Sequence, residues 1–511
     1  MLAMTARAYR PPAACASAQT PRIAPPDRQA IRACKQPALR AGGADPALSG
    51  AMDDLVSPRP LSALDAAFLG LESRDVPFVH ASILAFDRPL ALDAVRAHVG
   101  GVLAGVPRYR QRIVRGRVGT AAWVDDPVFS IERHILATTV PAPGGARELE
   151  ELCAQLLADP LPAEHPPWRV WVVGGLDGGR GALISLFHHA LVDGVGGFQL
   201  LEHVLSAPAT AATPPAATPP AEPPPAPRRS RLAAVRRLVA RSSLAGLAGL
   251  LRDGLRPASQ IGLNPRHTGP IRSVASHSVE LATMQHIGHA HGATTNDVVL
   301  ATVAGALQRL LRRRGIDPTT LDDVRTMVPV ARHAKGSRAT SGNQVAMLLT
   351  RLPVAILDPV ERLRRVAATT RGLKRGGAVP GGDLLVALSD ATAPVLLVAI
   401  LKLSLRMRGF NLIVTNVPGP TRPLALIGAR LTRIVPVVNL WPHVALGIAV
   451  ASYAGTMTFG IQTDRAVIPD AGPLRDDLAA AFEELRAAIL PGEIAPGPQR
   501  TPQRPMQGVT P

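Results

Sequence analysis

The chain has 511 residues, and 56 Lys and Arg against 38 Asp and Glu give it a formal charge of +18, a balance that attracts polyanions. Only 3% of the residues are aromatic, too few for the stacking platforms of single-strand binders, and no zinc-finger or RNP-like spacing occurs, so nucleic acid is not an expected partner. Three cysteines cannot build a disulfide framework and fit a reduced cytoplasmic setting, and no charge-free apolar run of about 18 residues offers a spanning helix.

In chain order, residues 1–51 come first, Arg-rich and acid-poor, without helical or strand period. We expect residues 1–57 to be a disordered leader, with Met52 as an alternative start, because patterned sequence begins at "MDDLVSPRPLSALDAAFLGLE" (52–72). Residues 58–206 read as one mixed α/β unit. "PFVHASILAFD" (77–87) has strand character and "LALDAVRAHVGGVLAGVP" (90–107) is helical. "WRVWVVGGL" (168–176) and "GALISLFHH" (181–189) flank the turn "DGGR" and read as a hairpin, followed by the helix "VGGFQLLEHVLS" (195–206).

Residues 207–259 read as a Pro-rich linker and a basic amphipathic helix. The linker carries nine prolines in 207–227. The helix, "RRSRLAAVRRLVARSSLAGLAGLLRDGLR" (228–256), has eight arginines and suits either an anionic bilayer or a flanking domain. Residues 260–490 form a second α/β unit. There Gly292 ends one helix, Asn296 or Asp297 caps the next, and strands are expected at 325–331, 344–354, 411–419, 445–453 and 456–464. The most apolar run, 384–403, is broken by Asp390 and Pro394 and reads as a buried or interfacial helix. Residues 491–511 are an unstructured Pro/Gln-rich tail.

Chemistry concentrates in "SLFHHALVDGVGG" (185–197). A strand delivers His188 and His189 to its carboxyl end. Neighbours on a strand point to opposite faces, so one histidine faces an interior channel while the other supports the strand, an arrangement poorly suited to joint metal binding. Asp193 sits in the following turn, and Gly194, Gly196 and Gly197 permit close packing. An imidazole so placed suits general-base work near neutral pH. Zinc held by His188, His189 and Asp193, a phosphate loop at "GVGG", and two purely structural histidines are the other readings that the residues leave open. No G-x-S-x-G elbow occurs, which argues against an α/β-type serine hydrolase.

"HHALVDG" (188–194) matches the HHxxxDG signature of CoA-dependent acyltransferases of the chloramphenicol acetyltransferase type, a signature shared with peptide-synthetase condensation domains. Six further blocks narrow the likeness: "LSALDAAFLGLE" (61–72), "PLPAEHPPWRVWVVGGL" (160–176), "GATTNDVVLATVAGAL" (292–307), "SGNQVAMLLTRLPV" (341–354), "NLIVTNVPGP" (411–420) and "YAGTMTFGIQTDRAVIPD" (453–470). From about Leu61 to about Leu490 the chain resembles the bacterial wax ester synthase/acyl-CoA:diacylglycerol acyltransferase family.

That resemblance implies an α/β fold of the α+β sandwich type, with two chloramphenicol-acetyltransferase-like domains and a tunnel between them. It implies transfer of a fatty acyl group from acyl-CoA, as co-substrate and without a further cofactor, to diacylglycerol or a long-chain alcohol, with no acyl-enzyme. By the family pattern His189 is the base, His188 its structural neighbour, and Asp193 and Gly194 shape the site. Asn296 and Asp297 match the family's ND block; Asn296 would steady the developing oxyanion, with helix capping as its other reading. Glu72 matches an acidic position that would support the site, against a solvated helix face. The chain departs from the family where Pro166-Pro167-Trp168 replaces Pro-Leu-Trp, which leaves a contact role for Trp168 in doubt. The expected setting is cytoplasmic, peripheral to the inner membrane face or lipid droplets. Two alternatives remain: an acyltransferase acting on a secondary metabolite or carrier-bound thioester, and a non-catalytic lipid-binding protein.

Overall fold

The computed structural model describes residues 59–116, 121–191, 194–205, 257–331, 345–375, 398, 402–403 and 405–490. The expectations for the leader, for nearly all of 207–259, for most of 384–403, for the tail and for Asp193 lie outside these residues.

Two six-stranded sheets dominate. In the first, the strands are β2 (Val79–Phe86), β5 (Ile135–Thr139), β6 (Trp168–Gly174) and β7 (Gly181–His188), joined by β12 (Ala425–Leu426) and β13 (Ala429–Val437), in the order β12-β13-β2-β7-β6-β5. The expected β6–β7 hairpin is present and antiparallel, with Trp168 opposite Phe187. The second sheet combines β8 (Arg272–Glu280), β9 (Arg325–Ala331), β10 (Val345–Arg351), β11 (Leu412–Val417), β14 (Leu446–Tyr453) and β15 (Thr456–Asp464), in the order β10-β9-β11-β14-β15-β8. A small third sheet joins β1 (Arg59–Pro60), β4 (Ala121–Asp125) and β3 (Gln111–Arg115).

Strand alternation sorts the first sheet's two faces. Ala81, Ile83, Ile184 and Leu186 turn towards the helix Ala146–Ala158. Leu84, Phe86 and Leu183 turn the other way, towards the helix Leu92–Ala104. The second half is built on the helix Thr295–Arg313, which is buried almost all round from Asp297 to Leu311. Thr294 caps that helix through Asp297 N, not Asn296 or Asp297 as the sequence suggested; Asp297 instead returns a bond from the third position of the capping box. Gly292 ends the preceding turn at φ +59°, as expected.

The sequence reading did not contain β13. This strand comes from the second half of the chain yet pairs with β2, Val437 opposite Ala81 and Ile434 opposite Leu84. The next two strands, β14 and β15, return to the second sheet. Where the sheets meet, a Cβ at Gly460 of β15 would collide with the Pro436 carbonyl oxygen, so only glycine fits there. No helix among the described residues is long and apolar enough to cross a membrane.

Candidate active site

The carboxyl end of β7 separates the two histidines as strand geometry requires. His188 N donates to Pro167 O at 3.0 Å and His189 N to Phe78 O at 2.8 Å, which anchors this end of the strand on both sides. His188 is 3% exposed. Its Nδ1 accepts from Ala190 N at 3.1 Å, so the proton of a neutral ring sits on Nε2. That atom faces Glu72 Oε1 at 3.5 Å, a charge contact longer than a good hydrogen bond.

Glu72 closes the helix Ala63–Leu71, and its Oε2 accepts from Arg115 Nη2 at 2.7 Å. Burial pushes the Glu72 carboxyl up. The His188 imidazole and the Arg115 guanidinium outweigh burial and hold it below its ordinary value. Glu72 is therefore an ionised support behind His188 rather than a solvated helix face.

His189 turns to the other side. Its ring rests on Phe68, with centroids 4.7 Å apart, and meets His80 edge-on at 5.9 Å. It lines a cavity of about 290 Å³ that draws its walls from both halves. Leu103, Leu183 and Leu201 stand on one side and Pro329, Asn416 and Val450 on the other. Walls of this kind suit an acyl chain, with few polar groups to fix its orientation. His80 shares the cavity; burial, then the imidazoles of His189 and His188, push it down to about 3. Two cavity hydroxyls, Ser82 and Ser185, bond each other at 2.6 Å.

The remaining predicted residues fall at different depths. Gly194 opens the helix Gly194–Val204, whose residues Gly197 and Phe198 reach the cavity. Asn296 accepts a long bond, 3.5 Å, from Asn416 Nδ2, and Asn416 lines the cavity. Asp297 is 2% exposed and spends its oxygens on Thr294 and on Thr370 Oγ1, the latter at 2.7 Å, so its bonds are internal. Trp168 is buried, stacks on His134 at 4.4 Å and donates to Tyr109 O at 2.8 Å, which explains its place in the wall as packing.

Five cavity positions escaped the sequence reading: His80, Asn416, Asn439, Ser82 and Ser185. Strand parity in "PFVHASILAFD" carried a signal for His80 and Ser82, which share a face; Asn439 follows the unread β13 and offered none.

The chain has relatives along most of its length. Residues 61–299 match the model of the wax ester synthase/diacylglycerol acyltransferase catalytic domain, and residues 341–486 match that of the C-terminal domain of the same family. The chain is similar to the probable diacylglycerol O-acyltransferase tgs1 of Mycobacterium tuberculosis, 32% identical over 452 residues, which cover 84% of this chain and 96% of that protein. The probable diacylglycerol O-acyltransferase tgs2 of the same species is 30% identical and covered over 99% of its length, against 85% of this chain.

Among solved structures, the wax ester synthase/diacylglycerol acyltransferase from Marinobacter aquaeolei VT8 superposes with a TM-score of 0.63 at 26% identity, covering 84% of this chain and 99% of that one. The first condensation domain of the calcium-dependent antibiotic synthetase reaches 0.60 at 20% identity, over 85% of this chain and 98% of that one, a likeness of fold alone. The two-domain α/β sandwich expected from the sequence is the fold of this group. On these matches together, the chain belongs to the wax ester synthase/diacylglycerol acyltransferase family.

Proposed function

We propose that this protein transfers a fatty acyl group from acyl-CoA to the hydroxyl of a diacylglycerol or a long-chain alcohol, with His189 as general base. The observation that carries the reading is the split pair. His188 is fixed behind the strand by Ala190 N and Glu72, while His189 faces an apolar cavity shared by both halves. His189 would take the acceptor's hydroxyl proton as the oxygen bonds to the thioester carbonyl carbon. The C–S bond then breaks, and the thiolate leaves as CoA thiol after recovering that proton. Asn416, braced by Asn296, stands in the cavity wall as a donor for the developing oxyanion.

Diacylglycerol resides in membranes, so peripheral attachment to a bilayer or droplet surface is part of this reading. The net charge of +18 and the arginine-rich segment 228–256 support it. The test is direct: purified full-length chain, palmitoyl-CoA, and either diolein or hexadecanol, with free thiol as readout. Thiol release together with triacylglycerol or wax ester supports the reading. No acceptor-dependent release with either acceptor overturns it.

A further inference from the structure

The cavity's polar groups have unequal partners. Ser82 and Ser185 bond each other, Trp168 donates to Tyr109 and Asn416 reaches Asn296. Asn439 also lines the cavity, is 2% exposed, and its Nδ2 has no hydrogen-bond partner. A buried amide donor left unpaired costs folding free energy that a well-packed apolar side chain would not. Its surroundings make it a poor accident of the surface: Val437, Leu440 and Trp441 around it are all buried. Trp441 also packs on Phe68 and Phe78, at 6.1 and 5.5 Å, and Phe68 carries the His189 ring. The segment after β13 is thus fastened to the aromatic cluster that holds the base.

We infer that Asn439 is a substrate-binding residue, whose amide donates to a carbonyl oxygen of the bound substrates. Resting on the acyl-transfer reading above, this inference adds to it a second amide donor, besides Asn416, for the ester chemistry in a mostly apolar wall. Two carbonyl sources share the chemistry. One is the thioester of acyl-CoA, present in every turnover; the other is an ester of diacylglycerol, which a long-chain alcohol lacks.

The experiment uses Asn439→Leu and Asn439→Ala in the full chain, assayed with palmitoyl-CoA and either diolein or hexadecanol, beside thermal unfolding. Loss of an unpaired donor should leave the Leu variant's melting temperature equal or higher, while kcat/KM falls about tenfold. A fall with both acceptors assigns the bond to the thioester; a fall with diolein alone assigns it to the acceptor ester, and Asn439→Gln should recover part of the activity in either case. Unchanged kcat/KM with both acceptors overturns the inference, and so does a melting temperature that drops in both variants alongside activity. The unmutated chain separates the two claims: if it releases no CoA, the acyl-transfer reading fails; if it does and the variants match it, only the role of Asn439 fails.

Discussion

Arg362 in the second half and the His188–His189 pair in the first are both polar groups set among apolar side chains, but their bonding differs. The Arg362 side chain is fully buried. It donates from Nε to Ala301 O at 3.2 Å and from Nη1 to Gln308 Oε1 at 2.8 Å, with Glu484 at 3.9 Å. Gln308 in turn donates to the carbonyls of Val354 and Ile356 at 2.7 and 2.6 Å. These bonds tie the long helix Thr295–Arg313 to the helix Pro359–Arg375 and to the loop between β10 and that second helix. In the first half, the network around Glu72 is just as specific but ends at the buried His188, next to His189, whose ring lines the apolar-walled cavity. The Arg362 network spends its hydrogen bonds inside the fold, with Nη2 left to a longer charge contact with Glu484, whereas the histidine pair stands beside a cavity where a ligand can bond.

Four variants test this contrast, beginning with the largest effect. His189→Ala should lower acceptor-dependent CoA release at least about 100-fold, the range of a lost general base, with an unchanged thermal midpoint; activity within a few-fold of the unmutated chain would remove His189 from the mechanism. Arg362→Ala should do the reverse. Removing one partner of a buried charged network destabilises by about 3 kcal/mol or more, visible as a lower urea midpoint, while turnover per folded molecule stays within about twofold. A selective loss of turnover would break the distinction.

Glu72→Gln, which takes the charge from behind His188 but keeps the shape, should lower kcat by roughly tenfold, about 1.4 kcal/mol, with a small change in stability. Because the folded state holds Glu72 ionised below its ordinary value of 4.5, its contribution to stability is present above that pH and is lost as pH falls through the lower folded value. The unmutated chain should therefore lose stability more steeply than Glu72→Gln below pH 4.5. The fourth variant concerns His80 and reads out in stability alone. Its folded value of about 3 against an ordinary 6.5 means that, between them, the unfolded chain binds a proton that the folded chain refuses. Stability then falls with falling pH by up to about 1.4 kcal/mol per unit. Urea midpoints from pH 7 to 5 should flatten in His80→Asn; parallel slopes would show that His80 is not held neutral.

The catalytic half was largely legible because its signals are local. Alternation reveals β2, β6 and β7, and the strand rule puts the two histidines on opposite faces, while the assignment of His189 as the base rests on the family pattern. The cap of the long helix lies two or three positions before the expected Asn296 or Asp297, although T-x-x-D from Thr294 to Asp297 is itself a capping-box pattern. The strand β13 was hidden for a physical reason. Its register shifts between Leu431 and Arg433, and Pro436 interrupts its donors, so "ARLTRIVPV" shows neither clean alternation nor an uninterrupted apolar run. Its partner lies some 350 residues earlier, a pairing that no local pattern announces. The state of Asn439 was equally out of reach, since an unpaired donor is defined by what other segments fail to supply.

The placement of β13 also bears on how the chain is made. On the ribosome, β2 and β7 emerge early, but the edge of β2 that β13 covers stays open until residue 437 has been synthesised. During that interval an unsatisfied row of backbone donors and acceptors is available to neighbouring chains, the situation in which β-rich intermediates associate wrongly. A fragment ending before β13 would keep that edge for good. Expressed alone, the histidine-bearing half should aggregate, and co-expression of the remainder should rescue it by supplying the missing strand.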